Sequence, residues 1–590
     1  MVHAPDHSGV LTELGLAYEA CEMHGAAERE YRRAILAAPD DPEPAVNLGR
    51  LLLGLGRPRE AISILARAAG RSDHPPTDLL VLHGAALNAG ADPRSAETVL
   101  ARATQLAPEN SDAWRELGVA RARQDDWGRA SIALARAVAL GGGDSQVRSL
   151  LVHALGQECL WDGYDSQIDA VLAAIDRETP GALRLAWPLV LQAINDDPVR
   201  AREAATRYAT CEFPPPSGNR PPRRAMAGRM RLGFLSPDLN GHPVGRLVVG
   251  ILEGIDRSRF ELCAYDCNGP QPDAIWHRIR AACDRFTSFA TVDAGTVADT
   301  IRSDAVDVLF DLTGYTAGAN LAILARRPAR VQAGFLGYTG TLGSPAVDWI
   351  VTDRYCVPPD AFIGYTERPL WIDPCYVPCN VERGDAGGAV VRADYGLPDE
   401  AIVYAAMSAP YKIQPGRFDA WLAILRAVPR SILWMRYMRP AVMHRLRYRA
   451  GRAGVDPGRL FFAPNEDVPR YLARFRLADL FLDTAPFGSH TTVNDALGAG
   501  LPVLAEAGRT FAARASASMV VAAGLDDLVV GDVDDMVRTA IALGLDSDSR
   551  ETMKHRLAQS RAERPWYDLR AYARSFCAAA ERAYEETDGA

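Results

Sequence analysis

The stretch DLFLDTAPFGSHTTVNDALGAGLPVL, residues 479–504, contains the pattern that decides the fold of the C-terminal part of this chain. An apolar run ends at Asp483, and a turn rich in Pro, Gly and Ser follows it. A helical segment then begins near Thr491 and leads into a second apolar run. Apolar strands that alternate with helices are typical of parallel sheets covered by helices on both faces.

The same alternation extends outward from this stretch over residues 230–507 and falls into two series. The first series of predicted strands is MRLGFLS (230–236), FELCAYD (260–266), VDVLFDLTG (306–314) and VDWIVTD (347–353). The second is IVYAAMS (402–408), SILWMRY (431–437), LFFAP (460–464), DLFLDTA (479–485) and LPVLAEA (501–507). Two series predict two doubly wound, Rossmann-like lobes, which bind ligands at the carboxyl ends of their strands.

Three polar segments follow predicted strands and are candidates for a phosphate or sugar site. His490, Thr491 and Thr492 stand at a helix start, where free N–H groups and hydroxyls suit a diphosphate. A capping turn explains the same residues equally well, because threonine is a common N-cap. Lys412, in SAPYKIQPGRFDAW, can neutralise a phosphate. His242, in SPDLNGHPVGRL, can act on a sugar or a proton.

The first 140 residues repeat with a period of 34 or 35 residues. Each unit begins with a glycine: Gly15, Gly49, Gly84 and Gly118. Alanines follow at two fixed distances, at Ala27, Ala61, Ala96 and Ala130 and at Ala34, Ala68, Ala103 and Ala137. A larger residue stands between them: Tyr31, Leu65, Leu100 or Leu134. The spacing predicts an α-solenoid of helix–turn–helix units, with the larger residue filling the gap to the next unit.

Five segments follow from these patterns. We predict repeats over 1–144, a helical capping and connecting region over 145–212, a proline-rich linker over 213–228, and two α/β lobes over 229–390 and 391–590. The linker contains FPPPSGNRPPRR, which is stiff and polar.

The composition excludes several classes of protein. The net charge of −9 argues against bulk binding of nucleic acid, which needs basic stripes. The sequence contains no run of 18 apolar residues that would predict a membrane span, and its N-terminus lacks the pattern of a signal peptide. We therefore expect a cytoplasmic location. The ten cysteines form no CxxC pair that would indicate a zinc site, and we expect no metal and no cofactor.

Taken together, the segments resemble the O-linked N-acetylglucosamine transferase family, glycosyltransferase family 41, in which tetratricopeptide repeats precede a two-lobed GT-B unit. Trp114 and Leu117-Gly118 match the W-x2-LG opening of such repeats. Further matching segments are CLWDGYD (159–165), DLTGYTAGA (311–319), RRPARVQAGFLGYTGTLGSPAVDWIVTD (326–353) and LARFRLADLFLD (472–483). The resemblance covers nearly the whole chain.

The resemblance implies a protein O-glycosyltransferase that moves a sugar from a nucleotide-sugar to Ser or Thr of a protein, with inversion and without a metal. Lys412 would stabilise the leaving diphosphate, and His242 would lie near the sugar and the acceptor. The implied donor-binding residues are Gly337 and Tyr338 at the sugar, Tyr471 and Arg474 at the nucleobase, His490, Thr491 and Thr492 at the phosphates, and Asp495 at the ribose.

The repeats would hold the protein acceptor. In the family, asparagines line the groove of the repeats and grip the acceptor backbone. The matching positions here are Glu13, Asn47, Leu82 and Glu116, so Asn47 alone remains as a candidate for this role.

Four departures from the family pattern surround the implied donor site. Thr339 replaces a proline, Ala409 a glutamine, Val468 a lysine that reaches the ribose, and Arg509 an acid. These departures do not change the expectation of a glycosyltransferase, but they leave the identity of the donor undecided. UDP-N-acetylglucosamine is the family default, and a flagellin glycosyltransferase that uses a CMP-nonulosonic acid, such as one of the pseudaminic acid type, is the alternative.

Two other functions remain as alternatives. The chain can be a non-catalytic repeat scaffold with a decayed GT-B unit, although the joint presence of His242, Lys412, His490, Thr491, Thr492 and Asp495 argues against this. Transfer to asparagine or to a small molecule is disfavoured, because the repeats indicate a peptide acceptor.

Overall fold

The computed structural model describes residues 7–141, 143–177, 185–213, 215–217, 219–223, 228–319, 321–379 and 389–587. The residues outside this description include Gly142, parts of the predicted linker 213–228, and the first and last residues of the chain. Internal contacts divide the chain into two units. The first comprises residues up to Glu158 together with Gly163–Ala174, and the second comprises Cys159–Asp162 together with the residues from Ile175 onward.

The first unit is helical throughout its described residues. Its helices are α1 (Ser8–Ala20), α2 (His24–Ala37), α3 (Glu43–Gly54), α4 (Pro58–Ala69), α5 (Thr77–Ala89), α6 (Pro93–Leu106), α7 (Ser111–Ala122), α8 (Trp127–Ala139), α9 (Ser145–Gln157) and α10 (Tyr164–Arg177), whose last residues belong to the second unit. Four of these helices begin at a side-chain cap that accepts a backbone N–H: Asp92, Asn110, Asp126 and Asp144.

The repeat glycines are explained by a contact within each unit. A Cβ atom on Gly15 would lie 2.5 Å from the Tyr31 ring, and one on Gly84 would lie 2.3 Å from Leu100. Gly49 and Gly118 meet Leu65 and Leu134 in the same way. The larger residue between the alanines therefore packs against the glycine of its own unit. We expected it to fill the gap to the next unit, but the missing Cβ brings the two helices of one unit together over it.

The first α/β lobe is built on a seven-stranded sheet of order β3-β2-β1-β4-β5-β6-β7, in which every pairing is parallel. The strands are β1 (Met230–Ser236), β2 (Phe260–Asp266), β3 (Arg285–Ser288), β4 (Val308–Asp311), β5 (Val331–Gly334), β6 (Trp349–Thr352) and β7 (Arg368–Trp371). The helices are α11 (Pro188–Ile194), α12 (Pro198–Glu212), α13 (Pro243–Gly254), α14 (Ala274–Ala282), α15 (Ala294–Ser303) and α16 (Leu321–Leu324).

The second lobe is built on a six-stranded parallel sheet of order β10-β9-β8-β11-β12-β13. Its strands are β8 (Ile402–Ala406), β9 (Ser431–Arg436), β10 (Leu460–Ala463), β11 (Leu480–Leu482), β12 (Val503–Glu506) and β13 (Val529–Val530). Its helices are α17 (Pro415–Ala427), α18 (Pro440–Arg452), α19 (Val468–Ala473), α20 (Thr491–Gly498), α21 (Phe511–Ala522), α22 (Val533–Leu545) and α23 (Ser547–Glu563). Short 3-10 turns, among them Pro410–Lys412, complete the lobe.

The last helix, α24 (Leu569–Glu586), returns to the first lobe and packs against α13. The Phe576 ring lies 4.7 Å from that of Phe310 and 5.2 Å from that of Phe335, inside the core of the first sheet. Helix α24 therefore crosses back from the second lobe to the first. It ties the end of the chain to the first sheet by aromatic burial.

Each of the nine predicted strand segments contains a strand of the structure, whereas β3, β5, β7 and β13 were not predicted. These four are short, and three of them include polar or proline residues, so they lack a continuous apolar run. The predicted connecting region 145–212 is divided: α9 belongs to the first unit, and α11 and α12 belong to the second. Among the described residues, no helix is both long and apolar enough to span a membrane.

Candidate active site

Lys412 lies directly after β8, at the carboxyl edge of the second sheet. Its Nζ atom donates to the Gly488 carbonyl at 2.7 Å and lies 3.6 Å from the centre of the Phe487 ring. The residue is 8% exposed. Burial lowers the pKa of Lys412 to about 7, although the charge of Asp483 acts in the opposite direction. The amine can therefore gain a proton when an anion arrives.

The loop that meets Lys412 is held by its own hydrogen bonds. The Asp483 carboxylate accepts from the Ser489 N–H at 2.9 Å, and the Thr484 hydroxyl donates to the Phe487 carbonyl at 2.8 Å. A Cβ atom on Gly488 would lie 2.3 Å from the Ser516 hydroxyl, so only glycine fits there. The loop thus presents a fixed carbonyl and a fixed ring to the lysine.

His490 ends this loop in a left-handed conformation, with φ 50°, immediately before α20. Its Nε2 atom lies 2.5 Å from the hydroxyl of Tyr376. Burial, with a smaller contribution from the charge of Lys412, lowers the pKa of His490 to about 3. The imidazole is therefore neutral near pH 7, and it serves the site as a hydrogen-bonding group rather than as a cation.

Helix α20 carries the remaining predicted residues of the second lobe. Thr491 and Thr492 are its first two residues, both partly exposed. The carboxylate of Asp495, on the next turn, accepts from the Tyr471 hydroxyl at 3.2 Å. The Arg474 guanidinium lies 4.7 Å from the centre of the Tyr471 ring. Lys412, His490, the two threonines, Asp495, Tyr471 and Arg474 are thus brought to one edge of one sheet.

His242 lies at the carboxyl edge of the first sheet as the N-cap of α13. Its Nδ1 atom accepts from the Val244 N–H at 3.3 Å and lies 3.5 Å from a carboxylate oxygen of Asp238. Burial lowers the pKa of His242, and the Asp238 charge opposes that effect. The side chain remains 46% exposed. A Cβ atom on Gly245 would lie 2.1 Å from the Asn240 carbonyl, so the close packing of the backbone requires glycine here.

The helix that begins after His242 is near the edge of the second sheet. Arg246 lies one turn along α13, and its charge acts on the Tyr471 hydroxyl. Burial raises the pKa of Tyr471, Asp495 raises it further, and Arg474 and Arg246 act in the opposite sense. The two carboxyl edges therefore share an electrostatic environment, with His242 on one side and the Lys412 cluster on the other.

Gly337 and Tyr338 follow β5 in the first lobe. A Cβ atom on Gly337 would lie 1.9 Å from the Leu312 carbonyl, so backbone packing alone requires glycine here. Tyr338 lines two small cavities, of about 30 Å³ and about 10 Å³. The smaller cavity is also lined by two buried acids that sequence reasoning missed, Asp311 and Glu367. Burial raises the pKa of both, for Asp311 to about 6.

Helix α11 contacts residues of both lobes, although no motif in the sequence predicted it. The Gln192 amide donates to the Thr339 carbonyl at 2.9 Å, and the Gln414 amide donates to the Ala193 carbonyl at the same distance. Ala193 also packs against Phe487, the ring beneath Lys412. The segment therefore supports Lys412 from behind and holds Thr339, one of the departures from the family pattern.

The turn after α11 binds the backbone just before a helix of the second lobe. The Asp196 carboxylate accepts from the N–H groups of Arg509 and Thr510, at 2.9 and 2.8 Å, at the start of α21. The Thr510 hydroxyl adds a third bond at 3.1 Å. The side chain of Arg509 is exposed and forms no ion pair with a described residue.

Two observations complete the survey of predicted residues. In the first unit, Asn47 is only 7% exposed, and its side-chain oxygen accepts from Arg50 at 3.1 Å. Within the described part of the chain, no group of three His, Cys, Asp or Glu side chains is arranged to hold a metal ion.

A signal for Lys412 was present in the composition. Lys and Arg together number 65, and only Lys412 and Lys554 are lysines. A lysine kept among so many arginines is informative, because a lysine amine loses its proton on burial far more readily than a guanidinium does.

The model of Glycosyl transferase family 41 matches residues 216–378 and 387–576, which carry both lobes and the cluster around Lys412. The chain belongs to this family. Its two sheets and the repeats before them are the tetratricopeptide and GT-B arrangement that the sequence predicted.

The family's other members set the scale of the likeness. A probable UDP-N-acetylglucosamine–peptide N-acetylglucosaminyltransferase SEC of Arabidopsis thaliana is 28% identical over 452 residues, which cover 74% of this chain and 46% of the relative. A UDP-N-acetylglucosamine–peptide N-acetylglucosaminyltransferase of Caenorhabditis elegans is 25% identical over 457 residues, covering 58% and 40%. The chain thus spans less than half the length of these curated relatives.

One solved structure is matched over nearly the whole of its own length. A mutant O-GlcNAc transferase of Thermobaculum terrenum superposes with a TM-score of 0.70 at 27% identity, covering 87% of this chain and 98% of that one.

Proposed function

We propose that this protein transfers a sugar from a nucleotide-diphosphate donor to a Ser or Thr hydroxyl of a protein acceptor, with UDP-N-acetylglucosamine as the donor. Membership of family 41 and the names of its relatives support the reaction class. The observation that carries the proposal is the position of Lys412, a buried amine held 2.7 Å from the loop that leads into α20.

The Lys412 cluster suits a departing diphosphate. The N-terminus of α20 offers free N–H groups and the hydroxyls of Thr491 and Thr492, and Lys412 adds a proton and a positive charge. We propose that Asp495, on α20, contacts the ribose and that Tyr471, on α19, contacts the base, since the two side chains are hydrogen-bonded to each other. The C–O bond to phosphate breaks as charge develops on the diphosphate, so these donors act where the charge appears.

The acceptor hydroxyl would attack the anomeric carbon from the opposite side, which inverts its configuration. One C–O bond forms, the C–O bond to phosphate breaks, and the hydroxyl proton leaves to a base. We propose His242 for that base, because its imidazole is partly exposed at the first carboxyl edge and Asp238 stands 3.5 Å from Nδ1. To act as the base, the neutral imidazole would carry its proton on Nδ1 toward Asp238 and accept at Nε2, a tautomer that gives up the bond from the Val244 N–H to Nδ1. No step in this scheme requires a metal.

The repeats are proposed to bind the acceptor protein. Asn47 is buried and bonded to Arg50, so the acceptor would contact other side chains of the solenoid. Flagellin remains the acceptor of the second candidate function, transfer from a CMP-nonulosonic acid. The observation that favours this candidate is the unpaired, exposed side chain of Arg509, where the family pattern has an acid.

A thermal-shift panel tests the proposal and separates the candidates. The purified protein is melted with UDP, GDP, CMP and their sugar conjugates, beside Lys412→Ala and, as a matched control, Lys554→Ala. A ligand that binds only the folded state raises the melting temperature. We expect stabilisation by UDP and UDP-N-acetylglucosamine that Lys412→Ala loses and Lys554→Ala keeps.

Two other outcomes would change the assigned function. Stabilisation by CMP ligands alone would move the assignment to nonulosonic acid transfer, with flagellin as the acceptor to test. An absence of any shift at millimolar nucleotide would favour the non-catalytic scaffold.

A further inference from the structure

Arg436 is the last residue of β9, at the same carboxyl edge as the Lys412 cluster. Five buried residues precede it in the strand, whereas Arg436 itself is exposed. It forms no hydrogen bond and no ion pair with any residue that the structure describes. An arginine that ends a buried strand at a ligand-binding edge, with no protein partner, has its five donors free.

The register of the sheet places Arg436 between the two groups of candidate donor residues. On one side β9 pairs with β8, whose end leads directly to Tyr411 and Lys412. On the other side Arg436 pairs with Ala463 of β10, and the next carbonyl, that of Pro464, accepts from Arg474 at 2.9 Å. Arg436 therefore stands at the edge between the phosphate-facing lysine and the arginine of the base site.

The face of the strand also leads toward the base site. Side chains alternate along a strand, so Trp434 and Arg436 share one face. The Trp434 ring lies 5.2 Å from that of Tyr395, whose hydroxyl donates to Glu466 at 2.8 Å. Glu466 in turn lies 3.9 Å from the Arg474 guanidinium. The face that carries Arg436 is thus continuous with the surroundings of Arg474.

Electrostatic reach supports this placement. The charge of Arg436 acts on the Tyr411 hydroxyl, whose pKa burial raises, and on the Arg474 guanidinium, whose pKa burial lowers. The nearby acid, Glu466, is already engaged by Tyr395 and Arg470. Lys412 has Asp483 nearby and Arg474 has Glu466, whereas Arg436 has no acidic partner among the described residues.

We infer that Arg436 binds an anionic group of the nucleotide donor and is a further determinant of donor specificity. This inference rests on the proposed function, and it names a residue that the family resemblance did not supply. The anionic group is a phosphate of the nucleotide or the carboxylate of an acidic sugar. A guanidinium can hold either group through two parallel N–H bonds.

The test measures affinities by calorimetry for UDP, UMP, uridine, CMP and CMP-N-acetylneuraminic acid. The variant is Arg436→Gln, and the matched control is Arg430→Gln. Arg430 is an exposed arginine beside the amino end of the same strand. Its removal changes the net charge by the same amount, but at the opposite edge of the sheet. Unliganded melting temperatures that match the wild type establish that both variants fold.

We expect Arg436→Gln to weaken the binding of UDP at least tenfold and to change the affinity for uridine less than twofold. The control Arg430→Gln should bind every ligand as the wild type does. A loss confined to CMP-N-acetylneuraminic acid also supports the inference and names the sugar carboxylate as the anion. Equal affinities of the two variants for every ligand overturn it, as does an equal loss for uridine. A wild-type protein that binds no nucleotide overturns the proposed function and this inference together, whereas wild-type binding with an unaffected Arg436→Gln overturns the inference alone.

Discussion

The amine nitrogen of Lys412 lies 3.6 Å from the centre of the Phe487 ring, and the same atom donates to the carbonyl of Gly488 one residue further on. The ring excludes water and its face attracts the cation, while the carbonyl fixes where the amine points. Because α11 packs against Phe487 from the other side, a helix from outside the two sheets helps to hold the lysine.

The affinity for UDP is expected to fall as the pH rises above 7. The pKa of Lys412 is about 7 in the unliganded protein, so the amine is increasingly neutral above that pH, while a bound diphosphate favours the protonated form and raises its pKa. Binding then takes up a proton, and the association constant should drop by up to about tenfold per pH unit between pH 7.5 and 9. Calorimetry in two buffers of different ionisation enthalpy measures both the slope and the proton uptake. A flat profile that Lys412→Met shares with the wild type would contradict the assignment.

Tyr376→Phe is expected to weaken donor binding and to lower stability. The change leaves the buried Nε2 atom of His490 without its 2.5 Å partner, at a cost of about 1–3 kcal/mol in the free energy of unfolding. It also releases the residue from which α20 begins. Tyr567→Phe is the control, because the Tyr567 hydroxyl is buried without a hydrogen-bond partner among the described residues. Urea denaturation of both variants measures the difference, and equal stabilities would refute a role for Tyr376.

Asp196→Ala is expected to destabilise the second unit by about 1.5–3 kcal/mol, the usual contribution of hydrogen bonds to a charged group. Its carboxylate accepts from two N–H groups and one hydroxyl at the start of α21. Asp299→Ala removes an exposed acid paired with Arg302, and such surface pairs contribute about 0–1 kcal/mol. Chemical denaturation that shows no greater loss for Asp196→Ala than for Asp299→Ala would rule out the Asp196 hydrogen bonds as a stabilising contact.

Gly84→Ala and Gly54→Ala should change the stability of the repeats in opposite directions. A Cβ atom at residue 84 would lie 2.3 Å from Leu100, and overpacking of this kind costs about 1–3 kcal/mol. A Cβ atom at Gly54, near the end of α3, has nothing within 4 Å, and alanine exceeds glycine in helix propensity by about 1 kcal/mol. Thermal melting followed by circular dichroism compares the two. A neutral Gly84→Ala would mean that the Leu100 contact tolerates the extra methyl group.

Much of the fold could be predicted because its signals are local. The repeat is visible as Gly15, Gly49, Gly84 and Gly118 with their alanines, since each helix pair needs a small residue at its closest point. The strands that consist of a continuous apolar run were also predicted, because such a run is a local signal. Arg285–Ser288 and Val529–Val530 were not, because so short a strand is defined by its neighbour in the sheet and not by its own residues.

The candidate site was only partly predictable. Motif positions indicated Lys412, Thr491, Thr492 and Asp495, which share one edge in the structure. Tyr376, 114 residues before His490, carried no recognisable signal. Asp196, 313 residues before Arg509, carried none either. Contacts over such separations depend on how two sheets and a returning helix pack, which no local pattern encodes.

The sequence by itself determined the order of the repeats and the lobes, most of the strands, and the chemical types available at the strand ends. These follow from periodicity and from what each side chain can bury or donate. Only the tertiary structure decided that burial lowers the pKa of Lys412 to about 7, that His490 is neutral, and that Arg436 ends β9 at the same carboxyl edge without a partner among the described residues. Burial and the distances between charges set these properties, and both arise only when distant segments of the chain are brought together.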